Sequence, residues 1–229
     1  MLDYKLILDT ANLDDIEYGL KAWPVVGVTS NPSILKKEGN IDVYERLSAI
    51  KKLCGPSRSL HVQVVSDKTE DIISEAHFIL EKLGKDTYIK IPVSTQGLPA
   101  IKSLAEEGVG VTATAIYSTM QGILAVLAGA EYLAIYYNRM ENNCTNPDQV
   151  ISEIRSFIDG SGSNAKILGA SFKNIGQVTS AFAAGAQCVT VDPAIIKQAL
   201  NMSSVSDAVK AFTKDFETIH GIGKTMKTI

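Results

Sequence analysis

The chain has 229 residues, 45% hydrophobic and 21% charged, with a formal net charge of −3. That is enough apolar material for one large α/β domain or two small ones, and it excludes a strongly basic nucleic-acid-binding surface. Three scattered cysteines, Cys54, Cys144 and Cys188, imply neither a disulfide framework nor a zinc knuckle; with strand-like sequence from Lys5 and no long apolar run, a cytoplasmic protein without leader or membrane span is expected.

A two-part unit recurs along the chain. Lys5 to Asp9 reads as a first strand, followed by a helix capped near Asn12 that carries Leu13, Ile16 and Leu20. Val25 to Ser30 is a second strand, after which Asn31-Pro32-Ser33 opens a helix with proline in its first turn. Leu60 to Ser66 is a third; the helix after it, Thr69 to Leu83, carries Ile72, Ile73, Ala76, Ile79, Leu80 and Leu83 at helical spacing. Thr87 to Val93 is the fourth, with Leu98 to Glu107 helical, and Val109 to Ile116 the fifth, with Thr119 to Ala128 helical. Tyr132 to Tyr137 is the sixth, followed by a polar loop through Asn146-Pro147 and a helix from Asp148 to Asp159. Gly160-Ser161-Gly162-Ser163 reads as a flexible connector to the seventh strand, Lys166 to Ser171, whose helix is Ile175 to Ala184. Cys188 to Asp192 is the eighth, and Pro193 to Leu200 starts its helix.

Eight strands alternating with eight helices predict a parallel sheet, and eight strands close into a (β/α)₈ TIM barrel. An open doubly wound sheet is the alternative; it usually shows GxGxxG or GxxxxGK[ST] after its first strand, and neither motif occurs. Residues 1–229 therefore read as a single barrel domain. Val205 to His220 adds an amphipathic helix with Val209, Phe212, Phe216 and Ile219 on one side; it exceeds what a barrel needs and is expected to pack on a neighbouring subunit.

Active sites of such barrels lie at the carboxyl ends of the strands. In Tyr88-Ile89-Lys90-Ile91-Pro92-Val93, the alternation of a strand puts the three apolar side chains on one face and Lys90 on the other. A lysine aimed inward is driven towards its neutral, nucleophilic form; a lysine at a sheet edge simply snorkels to water. The other strand ends contribute Asp9, Thr29 with Asn31, Gln63, Thr112 with Thr114, Tyr136 and Ser171, several of them opposite in parity to their apolar neighbours. Each has an alternative reading. Asp9 could cap the helix after it, Gln63 and the threonines could be satisfied interior groups, Tyr136 a core aromatic, and Ser171 and Arg139 ordinary loop residues. A phosphate site near the last strands is common in this architecture, and Arg139 with Ser171 would suit it. Metal ligation is disfavoured because His61, His77 and His220 are too scattered to converge, and no GxSxG elbow supports a serine nucleophile.

Five stretches, Asp9-Thr10-Ala11-Asn12, Gly27-Val28-Thr29-Ser30-Asn31-Pro32-Ser33, Ile89-Lys90-Ile91-Pro92-Val93, Ala128-Gly129-Ala130-Glu131-Tyr132 and Ala170-Ser171-Phe172-Lys173, resemble the transaldolase family. The resemblance covers essentially the whole chain and is to the small-subunit branch that includes fructose-6-phosphate aldolase. It implies a class I mechanism without metal or cofactor, in which Lys90 forms a Schiff base with a sugar-phosphate ketose. It also implies a homo-oligomeric ring, a pentamer or a decamer of two pentamers. By the same resemblance Asp9, Gln63, Thr114 and Tyr136 join Lys90 in catalysis, while Thr29, Asn31, Arg139, Ser171 and Lys173 bind substrate. Transaldolases commonly carry Glu where this chain has Gln63 and Phe where it has Tyr136, so the pattern favours the lyase over the transferase. Ser30 and Ile135 depart from the family's usual threonine and proline. A non-catalytic sugar-phosphate-binding barrel is the reading from a different class.

Overall fold

The computed structural model describes residues 4–229. Its strands are β1 (Lys5–Asp9), β2 (Val25–Thr29), β3 (Ser59–Gln63), β4 (Tyr88–Pro92), β5 (Val111–Ile116), β6 (Tyr132–Tyr136), β7 (Lys166–Ala170) and β8 (Cys188–Val191). They hydrogen-bond in sequence order, every pairing is parallel, and β8 returns to β1 to close the sheet. This is the (β/α)₈ TIM barrel that the alternating units predict. The helices are α1 (Leu13–Ala22), α2 (Pro32–Lys37), α3 (Val43–Cys54), α4 (Thr69–Leu83), α5 (Gly97–Glu106), α6 (Thr119–Leu127), α7 (Tyr137–Asn142), α8 (Pro147–Ser161), α9 (Ile175–Ala183), α10 (Pro193–Leu200) and α11 (Ser203–His220). The chain divides into a compact unit ending at Pro193 and a second, Ala194–Ile229.

Local chemistry explains where the helices begin. The side chains of Asn12, Asn31, Asp42, Ser118, Asn146 and Asn174 each accept a hydrogen bond from a backbone N–H two or three residues on, satisfying donors that a helix start leaves open. Pro32 and Pro147 occupy first-turn positions where a missing N–H costs nothing.

Three local expectations change. The segment after β2 forms two helices, because Gly39 at φ 81° breaks the chain and Asp42 starts α3 afresh. Leu47, Ile50 and Cys54 of α3 are buried, a helical spacing that the sequence reading passed over. The stretch after β6 begins with the short helix α7. And α8 runs through Gly160 and Ser161 to Gly162, whose left-handed conformation (φ 68°) ends it.

Alternation within the strands sorts core from site. Ile7, Tyr132, Ala134, Leu168, Ala170 and Cys188 meet in one buried cluster with Tyr88 and Tyr136 against it, which identifies the barrel's inner face. Leu8, of opposite parity to Ile7, faces outward onto α1, close to Gly19. Gly27 belongs to the inner face, and there a side chain would meet the Ser59 carbonyl oxygen of β3 at 2.7 Å, so only glycine fits. Deep in the barrel His61 stacks on Tyr88 with ring centroids 4.7 Å apart, and Tyr132 meets both rings edge-on at 5.1 Å. The His61 imidazole engages Thr112 through Nδ1 (2.8 Å) and Ser59 through Nε2 (2.9 Å). Burial first, then the nearby Lys90 and Lys5 charges, lower its pKa to about 3, so it is a neutral ring flooring the site.

Candidate active site

Lys90 is the one charged residue type in the middle of an otherwise apolar strand, and only 3% of it reaches solvent. Its parity is that of Tyr88, so the amine points into the barrel, where Nζ donates to the Ser30 carbonyl at 3.3 Å. Burial pushes the Lys90 pKa down from the usual lysine range, and the nearby Asp9 carboxylate opposes that shift. Asp9, at the end of β1, is displaced the other way. Burial raises its pKa, while Lys90 and a 2.7 Å hydrogen bond from the Thr29 hydroxyl pull it down. Both partners are thus driven towards their uncharged forms, which is the state in which an amine attacks a carbonyl and a carboxyl can give a proton.

One cavity of ≈ 180 Å³ at the carboxyl end of the barrel gathers most of the expected site. Asp9, Asn31, Lys90, Tyr136, Arg139, Ser171 and Lys173 all line it. Thr29 is brought to Asp9 instead: fully buried, it bonds Asp9 and lies 2.6 Å from the Thr190 hydroxyl, oxygen to oxygen. Thr114 donates to the Tyr136 hydroxyl at 3.2 Å, and Gln63 pairs with Lys90 across the β3–β4 register. The Gln63 Oε1 and the Ser30 hydroxyl are buried without a hydrogen-bond partner; Gln63 is the register neighbour of Lys90, and Ser30 meets the amine through its backbone carbonyl. A larger cavity of ≈ 480 Å³, between α2, α3 and α4, is mostly apolar; Gln63 lines it, but neither Lys90 nor Asp9 does.

Backbone strain marks the same end of the barrel. Ser171 has φ 63° and Ala115 φ 56°, left-handed values that non-glycine residues rarely adopt. Ala115 sits where the β5–β6 register slips between Ala113 and Ile116, a bulge directly after Thr114. Ser171 turns the chain out of β7 at the cavity wall, and its carbonyl accepts from the Asn138 N–H at 3.3 Å.

The sequence reading missed several contributors. Lys37 and Asp192 line the cavity, Lys37 one helical turn beyond Ser33 on the same α2 face; that spacing was the available signal. Tyr117 accepts from Arg139 at 3.3 Å, and the guanidinium carbon lies 4.8 Å from the Tyr136 ring centre, so two tyrosines aim the arginine. Gln177 accepts from the Lys173 N–H at 2.7 Å and donates to Asn138 at 3.0 Å, joining the loop after β7 to α7. Nothing local in the sequence foretells that role.

The transaldolase/fructose-6-phosphate aldolase family profile matches residues 6–228. The chain belongs to this family. A probable fructose-6-phosphate aldolase of Streptococcus pneumoniae (strain ATCC 700669 / Spain 23F-1) is 47% identical over 215 residues, 94% of this chain and 97% of that protein. Among solved structures, a putative lactate oxidase of Pediococcus acidilactici superposes with TM-score 0.58 at 12% identity. That match covers 82% of this chain and 62% of the longer one, and it is a likeness of fold alone. Membership in the family gives the Lys90–Asp9 cavity a chemical context. Among the described residues no group of three or more His, Cys, Asp or Glu side chains is placed to hold a metal ion, and no helix is long and apolar enough to cross a membrane.

Proposed function

We propose that this protein is a class I aldolase that cleaves fructose 6-phosphate reversibly to dihydroxyacetone and glyceraldehyde 3-phosphate. The observation that carries this reading is the burial of the Lys90 amine against Asp9 in a cavity that also holds Arg139, Lys173 and Ser171. The name and 47% identity of the pneumococcal relative support the same substrate.

In this mechanism Arg139, Ser171 and Lys173 hold the phosphate, and Asn31 contacts the dihydroxyacetone end. Thr29 serves it through Asp9. The neutral Lys90 amine adds to the C2 ketone, and water leaves to give an iminium ion, an electron sink beside the C3–C4 bond. Asp9 takes the proton of the C4 hydroxyl. The C3–C4 electron pair moves into the iminium, glyceraldehyde 3-phosphate departs, and an enamine remains on Lys90. A water held by Gln63, Thr114 and Tyr136 relays a proton to C3, and a second water hydrolyses the imine to free dihydroxyacetone.

Transaldolase, which would hand the three-carbon unit to erythrose 4-phosphate as in pentose phosphate metabolism, uses the same lysine. Gln63 and Tyr136 favour the lyase, because glutamine cannot ionise and the phenol can supply the proton that ends the reaction. Offering fructose 6-phosphate alone and then with erythrose 4-phosphate separates the readings. Glyceraldehyde 3-phosphate released without acceptor supports the aldolase, release only with acceptor the transaldolase, and none in either case a non-catalytic barrel.

Arg139→Ala is expected to raise KM for fructose 6-phosphate roughly 10- to 100-fold, the usual weight of a charge-assisted hydrogen bond. Cleavage of unphosphorylated fructose should change little. Equal losses on both sugars would remove the phosphate role.

We also propose a cytoplasmic homo-oligomer, with the second unit as the contact element. Its helix α11 leaves Val205, Val209, Phe212 and Ile219 exposed on the single chain, and Cys54, Cys144 and Cys188 are all free thiols. Truncation after Ser204 should reduce the assembly size measured by light scattering; an unchanged size would refute the assignment.

A further inference from the structure

The cavity holds a second carboxylate that the mechanism above leaves idle. Along β8, Cys188 lies in the inward-facing cluster and Thr190 meets Thr29, so alternation puts residue 192 on the same inner face. The β1–β8 register runs Lys5↔Cys188, Leu6↔Val189, Ile7↔Thr190 and Leu8↔Val191. Asp9 and Asp192 each follow the last paired residues of that register, Leu8 and Val191, by one position. Both line the cavity, and Thr29 links Asp9 to Thr190 just beneath them.

A negative charge at Asp192 makes Asp9 harder to ionise. We propose that Asp192 is a positioning residue for proton transfer at Asp9, its carboxylate on the same cavity wall favouring a proton on Asp9. The proposal rests on the aldolase reading and gives it something it needs. Loss of water from the carbinolamine on Lys90 requires an acid to protonate the departing hydroxyl, whereas cleavage requires a base to take the C4 proton. A lone carboxylate of ordinary acidity is almost fully ionised at neutral pH and serves only the second step. Asp9, held towards its protonated form by burial and by the Asp192 charge, gives a proton in the first step and takes one back in the second, so the balance closes over a turnover.

The charges around Asp9 act in both directions. Burial and Asp192 favour its protonated form; Lys90 from β4, Lys37 from α2 and the Thr29 hydroxyl favour the ionised one. Arg139 and Lys173 line the same cavity and complete its charged groups.

Asp192 also directly precedes Pro193, the first residue of α10, where aspartate, asparagine and serine all serve as caps. Asp192→Asn and Asp192→Ser therefore keep the capping capacity and remove only the charge. Imine formation is read by mixing the whole protein with fructose 6-phosphate, quenching with borohydride at short times across a pH series, and quantifying the reduced adduct on Lys90. In both variants the alkaline fall in imine-formation rate should start about one pH unit lower than in the unsubstituted protein, a loss of about tenfold beyond that point. Profiles that superimpose, or a shift in only one variant, would overturn the proposal while leaving the aldolase reading intact. No adduct in the unsubstituted protein would remove the aldolase reading and the proposal with it.

Discussion

Lys90→Met should yield a folded protein that no longer cleaves fructose 6-phosphate, with a loss of about four orders of magnitude or more. Methionine nearly matches lysine in length and suits an interior flanked by Ile89 and Ile91, both fully buried, so the barrel has little reason to unfold. What disappears is the buried amine that forms the covalent bond with the ketone in this mechanism, and removing a covalent nucleophile typically costs more than any single hydrogen-bonding group. Borohydride treatment with the sugar should label Lys90 in the unsubstituted protein and leave the variant unlabelled. Asp9 responds too: without the neighbouring amine that helps to ionise it, its pKa rises further. In the unsubstituted protein the lowered Lys90 pKa means the amine is neutral at pH values where a free lysine is still an ammonium, so imine formation should persist there and fade as the pH falls further. Substantial cleavage by Lys90→Met, or an adduct on another lysine, would dismantle the mechanism.

The barrel was readable because eight apolar runs alternate with helical spacings, and each repeat is a local pattern. Lys90 was readable for the same reason, since parity alone aims it inward once Ile89 and Ile91 are assigned to the helices. The parts that escaped depend on contacts distant in sequence. The meeting of Asp9 and Asp192 in one cavity requires β8 to close onto β1, information absent from either strand alone. Thr29 reads as a substrate contact from its place at a strand end, yet Thr190, 161 positions away, draws it into a chain beneath Asp9. The left-handed backbone at Ser171 and Ala115 is equally hidden, because serine and alanine carry no local signal for it, unlike glycine. Resemblance to a family can supply such residues as names; the closed sheet supplies the reason they meet.

Tyr136→Phe should lower fructose 6-phosphate cleavage by roughly 10²–10⁴-fold, the usual weight of a positioned proton donor, without preventing imine formation. The phenol is the group removed, and little else. Phenylalanine keeps the edge-to-face contact with Tyr117, whose centroid is 5.5 Å from that of Tyr136, and the surface beneath the Arg139 guanidinium. Thr114 loses the partner to which it donates at 3.2 Å, and Gln63, unable to ionise, cannot replace the missing acid. Lys90 and Asp9 remain, so addition to the ketone and breakage of the C3–C4 bond proceed, and the enamine on Lys90 waits for a proton that arrives slowly. An aldehyde competes for that enamine as an electrophile and needs no proton from Tyr136 to be captured at carbon. Erythrose 4-phosphate should therefore recover more of the lost turnover in the variant than it adds to the unsubstituted protein. Two measurements decide it: glyceraldehyde 3-phosphate release with and without erythrose 4-phosphate, and borohydride trapping of the imine on Lys90. Full cleavage activity without acceptor would show that the phenol does not protonate the enamine, and a loss of trapping would place its role before the bond breaks.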